Sequence, residues 1–232
     1  PEDYVVREPM SAFAESLRVL NTSIIGDADA RGAVSVAITS ALPAEGKTTI
    51  SLCLGRVAAM SGLRVLMIDC DARRPSLSAR VGEKPAISLI DVIRRQIDWR
   101  DAAVPDASTS ALILPIGADA GELQTLFRPE GVRRLLDQVR ADFDLVVMDC
   151  PPILAVAETR WLAAVADQTV VVTQWNRTRA SAVRTAIREA QRAKARIAGV
   201  LLNRTDTLVA RRFSFTDPLY YGSAGKGYYT SA

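Results

Sequence analysis

A chain of 232 residues, 49% of them hydrophobic, is long enough for one large α/β unit with a sizeable core and too apolar to be disordered. The net charge of +3 comes from arginines spread along the chain, so charge gives no reason to expect a nucleic-acid partner. The absence of histidine leaves acid, base and metal-binding work to carboxylates, lysine or tyrosine.

No apolar run reaches the roughly 18 residues needed to cross a bilayer, and no basic segment leads into a hydrophobic one at the start, so the chain as it stands is expected to be soluble. Cys53, Cys70 and Cys150 are dispersed inside apolar stretches, which suits small buried residues in a reducing compartment better than a disulfide framework.

Residues 1–10 read as an irregular lead-in. Phe13, Leu17, Leu20 and Ile24 then recur at helical spacing and predict an amphipathic helix over 11–25. Glu15, Arg18 and Asn21 lie three apart beside them and form a polar ridge, by periodicity alone a solvated face.

The β-branched run 34–38 predicts a strand, and the stretch after it, Ser40-Ala-Leu-Pro-Ala-Glu-Gly-Lys-Thr-Thr, leads into an apolar helix. A loop in that context binds polyphosphate through consecutive backbone N–H groups and the positive end of the helix. Pro43, Ala44, Glu45, Gly46, Lys47, Thr48 and Thr49 are the candidate nucleotide-binding residues. Gly46 allows close approach of the main chain, Lys47 reaches the β and γ phosphates, and the Thr48 hydroxyl can ligate magnesium. Ala41 stands where the general pattern G-x-x-x-x-G-K-[ST] has its first glycine. An ordinary βα turn with a solvent-facing lysine is the alternative.

The run from Arg64 is a second buried strand that ends in two carboxylates, Asp69 and Asp71. Side chains alternate along an extended strand, so both carboxylates are expected to point the same way, beyond the carboxyl end of the sheet where α/β ligands sit. Two aspartates in a turn after a strand are the plainer reading. A helix is expected within 87–97, a polar loop over 105–110, and a short strand over 112–116 whose Pro115 marks an edge or an end of the ladder. Val132, Leu135, Leu136 and Val139 give one apolar face of a further helix.

The strand 144–149 closes on Asp149, a second candidate for holding magnesium beside Asp69 and Thr48, or else a turn aspartate. Two more strands, 169–174 and 197–204, flank a helix with Ala180, Val183, Ile187 and Ala190 toward the core. Its opposite side carries Arg184, Arg188, Arg192 and Arg196, a solvated face unless an acidic partner or membrane surface covers it.

Strands alternating with helices predict a mainly parallel central sheet with helices on both faces, a P-loop NTPase-like α/β fold over residues 1–210. Residues 211–232 are expected to be a flexible tail. Four of the five tyrosines, Tyr220, Tyr221, Tyr228 and Tyr229, lie there among glycines and polar residues that cannot bury them. With Lys47, Thr48, Asp69, Asp71 and Asp149 supplying more carboxylate than a metal needs, one aspartate is free to take a proton from a tyrosine hydroxyl during phosphoryl transfer.

The segments Ala-Leu-Pro-Ala-Glu-Gly-Lys-Thr-Thr (41–49), Val-Leu-Met-Ile-Asp-Cys-Asp-Ala-Arg-Arg-Pro (65–75) and Leu-Val-Val-Met-Asp-Cys-Pro-Pro (145–152), with the terminal tyrosine cluster, resemble the bacterial tyrosine kinases of exopolysaccharide and capsule synthesis. The resemblance implies a kinase using ATP and Mg2+, with Asp71 nearest the incoming hydroxyl, Asp69 and Asp149 serving magnesium, and Asn203 and Arg204 near the adenine. It also implies phosphorylation of the four tail tyrosines in a neighbouring subunit's site, release of a ring-like homo-oligomer by that phosphorylation, and a tyrosine phosphatase that reverses it.

The implied partner is a membrane polysaccharide co-polymerase segment or adaptor, with the chain cytoplasmic at the inner face of the cell membrane. Glu15 and Arg18 resemble the family's E-x-x-R-x-x-R assembly motif, in which Asn21 replaces an arginine. Partition and cell-division switch ATPases share much of this chemistry, but carry a second lysine where this chain has Leu42. A nucleotide-binding assembly module without turnover is the third alternative.

Overall fold

The computed structural model describes residues 1–26, 33–80, 86–117 and 128–206. The four tail tyrosines lie outside these residues. In chain order the elements are α1 (Tyr4–Arg7), α2 (Ala12–Gly26), β1 (Val34–Ser40), α3 (Lys47–Met60), β2 (Val65–Asp69), α4 (Leu89–Arg95), β3 (Val104–Pro105), β4 (Leu112–Leu114), α5 (Pro129–Val139), β5 (Leu145–Asp149), α6 (Thr159–Val165), β6 (Gln168–Gln174), α7 (Ala180–Arg192) and β7 (Ile197–Asn203). Short 3-10 turns occupy Ser78–Arg80 and Trp99–Asp101.

One sheet of order β3-β4-β2-β5-β1-β6-β7 carries the molecule. Every pairing is parallel except β3 with β4. β1, β2 and β5 are buried along their whole length, as their unbroken apolar runs require when helices cover both faces. Alternation sends Val65 and Met67 toward the α2 and α3 side and Leu66 and Ile68 toward the α4 and α5 side. Pro115 falls just past β4, an internal strand, so the proline ends the ladder and does not mark an edge.

Ser11 starts α2, its hydroxyl accepting from the Ala14 amide at 3.3 Å. Leu17 and Ile24 are buried, and so is Asn21. The expected polar ridge therefore holds at Glu15 and Arg18 but not at Asn21. Each step of three residues falls about 60° short of a full turn, so two steps carry Asn21 round to the core side between Leu17 and Ile24.

On α7 the buried positions are Ala186 and Ala190, with Ala182 packed against them, while Ala180 is exposed. The core stripe is thus rotated from the expected one, with Ala182, Ala186 and Ala190 packed in one cluster with Val171 of β6. Arg192 pairs with Glu189 at 2.9 Å, so the basic stripe is partly balanced. No helix among the described residues is long and apolar enough to cross a membrane.

Candidate active site

Asp69 and Asp149 close the neighbouring parallel strands β2 and β5 in register. The loop leaving β1, on the other side of β5, passes from Ala41 to Gly46 and enters α3. These three strand ends assemble the site. Left-handed backbone at Ala44 (φ 67) and Gly46 (φ 94) curls the loop. Within the described residues, none of the amides from Ala44 to Thr49 donates a hydrogen bond. Six consecutive free N–H groups at the head of a 14-residue helix form a concavity that favours anions.

The loop's shape is fixed from behind. Glu45 is buried; one carboxylate oxygen accepts from the Leu42 amide at 2.6 Å, and the other from the Gln174 amide at 3.4 Å and from the Thr178 hydroxyl. Asn203 donates through Nδ2 to the Glu45 carbonyl at 2.9 Å. A Cβ at position 46 would lie 2.2 Å from that nitrogen, so glycine is required for both conformation and space.

Asn203 and Arg204 therefore sit beside the loop. The Asn203 amide is committed to positioning it, and Arg204 reaches Gln174 Oε1 at 3.4 Å. The support given by Glu45, Gln174 and Thr178 was not foreseen in the sequence, since nothing local links residues about 130 apart.

Lys47 is buried, with Nζ 2.8 Å from Asp71 Oδ2, 3.8 Å from Asp149 Oδ1 and 3.4 Å from the Thr48 hydroxyl. Burial alone would lower its pKa, but the two carboxylates outweigh that and hold the ammonium above its ordinary value.

Asp69 differs from Asp71. Its Oδ1 accepts from the Asp71 amide at 3.0 Å, and its Oδ2 accepts from the amide and hydroxyl of Ser78 at 2.7 Å each. Burial raises its pKa against these bonds. The two aspartates thus diverge: Asp69 turns into the 70–78 loop and Asp71 faces Lys47. The expectation that they point the same way fails because β2 ends at Asp69, and strand alternation does not extend past it.

Asp149 is fully buried. Its Oδ1 accepts from the Ser51 hydroxyl at 3.1 Å, whereas Oδ2 has no partner among the described residues. An orphaned carboxylate oxygen beside Thr48 suits a magnesium ion or its water. Among the described residues no three Asp, Glu or Cys side chains converge as a closed metal cage. An ion here would accordingly take Thr48, Asp149, phosphate and water, as magnesium commonly does.

Burial pushes Asp149 up to about 6, only partly offset by Lys47. A carboxyl group whose folded pKa is raised keeps a proton that the unfolded chain has released, so its contribution to stability is lost as pH rises from the ordinary value of 3.8 through about 6. In nucleotide-free protein, the stability of the unaltered chain relative to Asp149→Asn should fall by roughly 2 kcal/mol between pH 4 and 7. Denaturant melts at both pH values measure this, and a pH-independent difference would contradict it.

The sequence profile of the AAA domain family matches residues 36–200. The chain is 31% identical over 92% of its length to the succinoglycan biosynthesis transport protein ExoP of Rhizobium meliloti (strain 1021), of which it spans 28%. It is 30% identical over 84% of its length to the tyrosine-protein kinase YwqD of Bacillus subtilis (strain 168), of which it spans 83%. Among solved structures, the kinase domain of VpsO is 30% identical with a TM-score of 0.70; the match covers 84% of this chain and all of that one. With a phosphate-binding loop, Asp69 and Asp149 at strand ends, Asp71 just beyond, and this likeness over most of its length, the chain belongs to the bacterial tyrosine-kinase family, on an AAA-type P-loop fold.

Proposed function

We propose that this chain is an ATP- and magnesium-dependent protein-tyrosine autokinase that phosphorylates Tyr220, Tyr221, Tyr228 and Tyr229 of neighbouring copies, and so regulates exopolysaccharide or capsule synthesis. The observation that carries the reading is the buried Lys47 held 2.8 Å from Asp71 and 3.8 Å from Asp149 under a loop of free amides. The tyrosine-kinase name of YwqD and the biosynthetic name of ExoP support it.

When bound, ATP would supply the phosphoryl group and magnesium would neutralise its charge. The amides of residues 44–49 hold the phosphates, and Lys47 balances charge on the group transferred. Thr48 and Asp149 would hold the ion. Asp71 accepts the tyrosine proton, and Asp69 keeps the turn carrying Asp71 in place through Ser78.

Glu15 and Arg18 lie on α2, paired at 2.5 Å and both partly exposed, with Arg18 also bound to the Pro9 carbonyl. We assign this ridge to assembly into a homo-oligomer that a membrane polysaccharide co-polymerase segment or adaptor holds at the inner face of the membrane. A phosphatase would reset it.

A mixing assay tests transfer between copies. Lys47→Met protein is offered as acceptor to isotopically heavy unaltered protein with ATP and Mg2+. Phosphotyrosine on the light chain is expected; phosphate confined to the heavy chain would limit transfer to within one copy.

A further inference from the structure

Beside the phosphate-binding loop, a groove of about 380 Å3 is lined by Leu42, Leu154, Arg177, Arg179 and Ala182, among others. Its walls are the loops leaving β1, β5 and β6 and the first turns of α7; two of these strand ends, β1 and β5, also build the site. The Ile153 amide donates to the Ser40 carbonyl at 2.9 Å, which locks the wall bearing Leu154 to the one bearing Leu42. Leu42 is 42% exposed although its amide is anchored by Glu45. Among the described residues, neither Arg177 nor Arg179 is engaged in an ion pair, and both are exposed. A groove that sets Leu42, Leu154 and Ala182 beside two guanidinium groups, next to the phosphate-binding loop that carries Leu42, is suited to an extended peptide that carries an apolar side chain close to an acid.

Residues 207–232 contain one such peptide. Between Thr207 and Ala232 the sole acidic residue is Asp217, in Asp217-Pro218-Leu219-Tyr220-Tyr221. Tyr228 and Tyr229 follow Gly-Lys-Gly and have no acid near them. The tail also starts close by. The Trp175 amide donates to the Asn203 carbonyl at 2.9 Å, tying the end of β7 to the turn that leads to Arg177. The eleven residues from Asp206 to Asp217 reach at most roughly 40 Å when extended, enough to leave one copy and enter another.

We propose that this groove is the acceptor-docking site, that it takes residues 217–220 of a second copy, and that it makes Tyr220 and Tyr221 the preferred acceptors over Tyr228 and Tyr229. Asp217 pairs with Arg177 and Arg179, and Leu219 lies on Leu42 and Leu154. Arg177 and Arg179 thereby become specificity residues outside the phosphate-binding machinery. The proposal rests on the kinase reading given above.

The test uses full chains in a mixed assay, with donors either unaltered or carrying Arg177→Glu and Arg179→Glu. Acceptors carry Lys47→Met, with or without Asp217→Lys. The reversed donor should phosphorylate Tyr220 and Tyr221 of the Asp217 acceptor about tenfold more slowly, with Tyr228 and Tyr229 changed less than about twofold. Its affinity for a fluorescent ATP analogue should be unchanged. The Asp217→Lys acceptor should be poor with the unaltered donor and recover with the reversed one.

Equal loss at all four tyrosines, no loss, or no recovery in the charge-swapped pair would overturn the groove. Phosphate found only on the donor would overturn its occupation by a second copy. Absence of phosphotyrosine with the unaltered donor would instead refute the kinase reading beneath it.

Discussion

Lys47→Met is expected to lower tyrosine phosphorylation by about 10²- to 10³-fold or more, the usual cost of removing a charged group that acts on the transition state. The size follows from placement. Nζ sits in a buried slot shared with Asp71 and Asp149, and a cation meeting developing phosphoryl charge there is screened far less than at a surface.

Methionine fills a similar volume without the charge, and the two carboxylates lose their counter-ion. The chain can absorb that loss because Asp149 already titrates at about 6, so taking up a proton costs little near neutral pH. Folded protein with weakened nucleotide binding and almost no transfer is therefore the expected outcome. Transfer within tenfold of the unaltered rate would mean that Lys47 lies outside the reaction.

The largest expected effect on stability is at Arg56→Ala. Arg56 lies mid-way along α3 and is buried; it grips Asp106 through Nε at 3.1–3.2 Å and Nη2 at 2.8 Å. Its remaining nitrogen reaches the Glu2 carbonyl at 2.9 Å and Asp3 at 3.1 Å, fastening α1 to α3. The Asp106 side chain is only 2% exposed, so truncating the arginine leaves a buried carboxylate whose remaining donors among the described residues are the Ser108 amide and the Thr109 hydroxyl. Losing one partner of such a pair costs about 3–5 kcal/mol, or roughly 10 °C in Tm for a chain of this size. Asp106→Asn on top of Arg56→Ala should recover part of that loss, because the stranded charge is gone. A single-variant loss below about 1 kcal/mol would contradict this account.

Much of the fold was legible because its signals are local. The strand runs, the β1-loop-α3 context and the acids closing β2 and β5 all lie within a few residues of each other. What failed had a geometric cause. Asn21 was placed on a ridge that helical drift carries into the core, and Asp71 was given the direction of a strand that had already ended. What was missed lay in pairings between distant residues: Glu45 with Thr178, Asn203 with the Glu45 carbonyl, and Arg56 with Asp106. A lone arginine in an apolar helix signals that some partner exists, but the sequence does not identify a partner fifty residues away.

The central claim is that this site moves phosphoryl groups onto the tail tyrosines. Its most direct test is the intact mass of the full chain after incubation with ATP and Mg2+, with peptide mapping, beside a variant carrying Tyr→Phe at 220, 221, 228 and 229. Successive single-phosphoryl additions mapping to those four tyrosines, and absent from the variant, are the result this account predicts. ATP consumption without added mass would contradict it and would leave a nucleotide switch in place of a kinase.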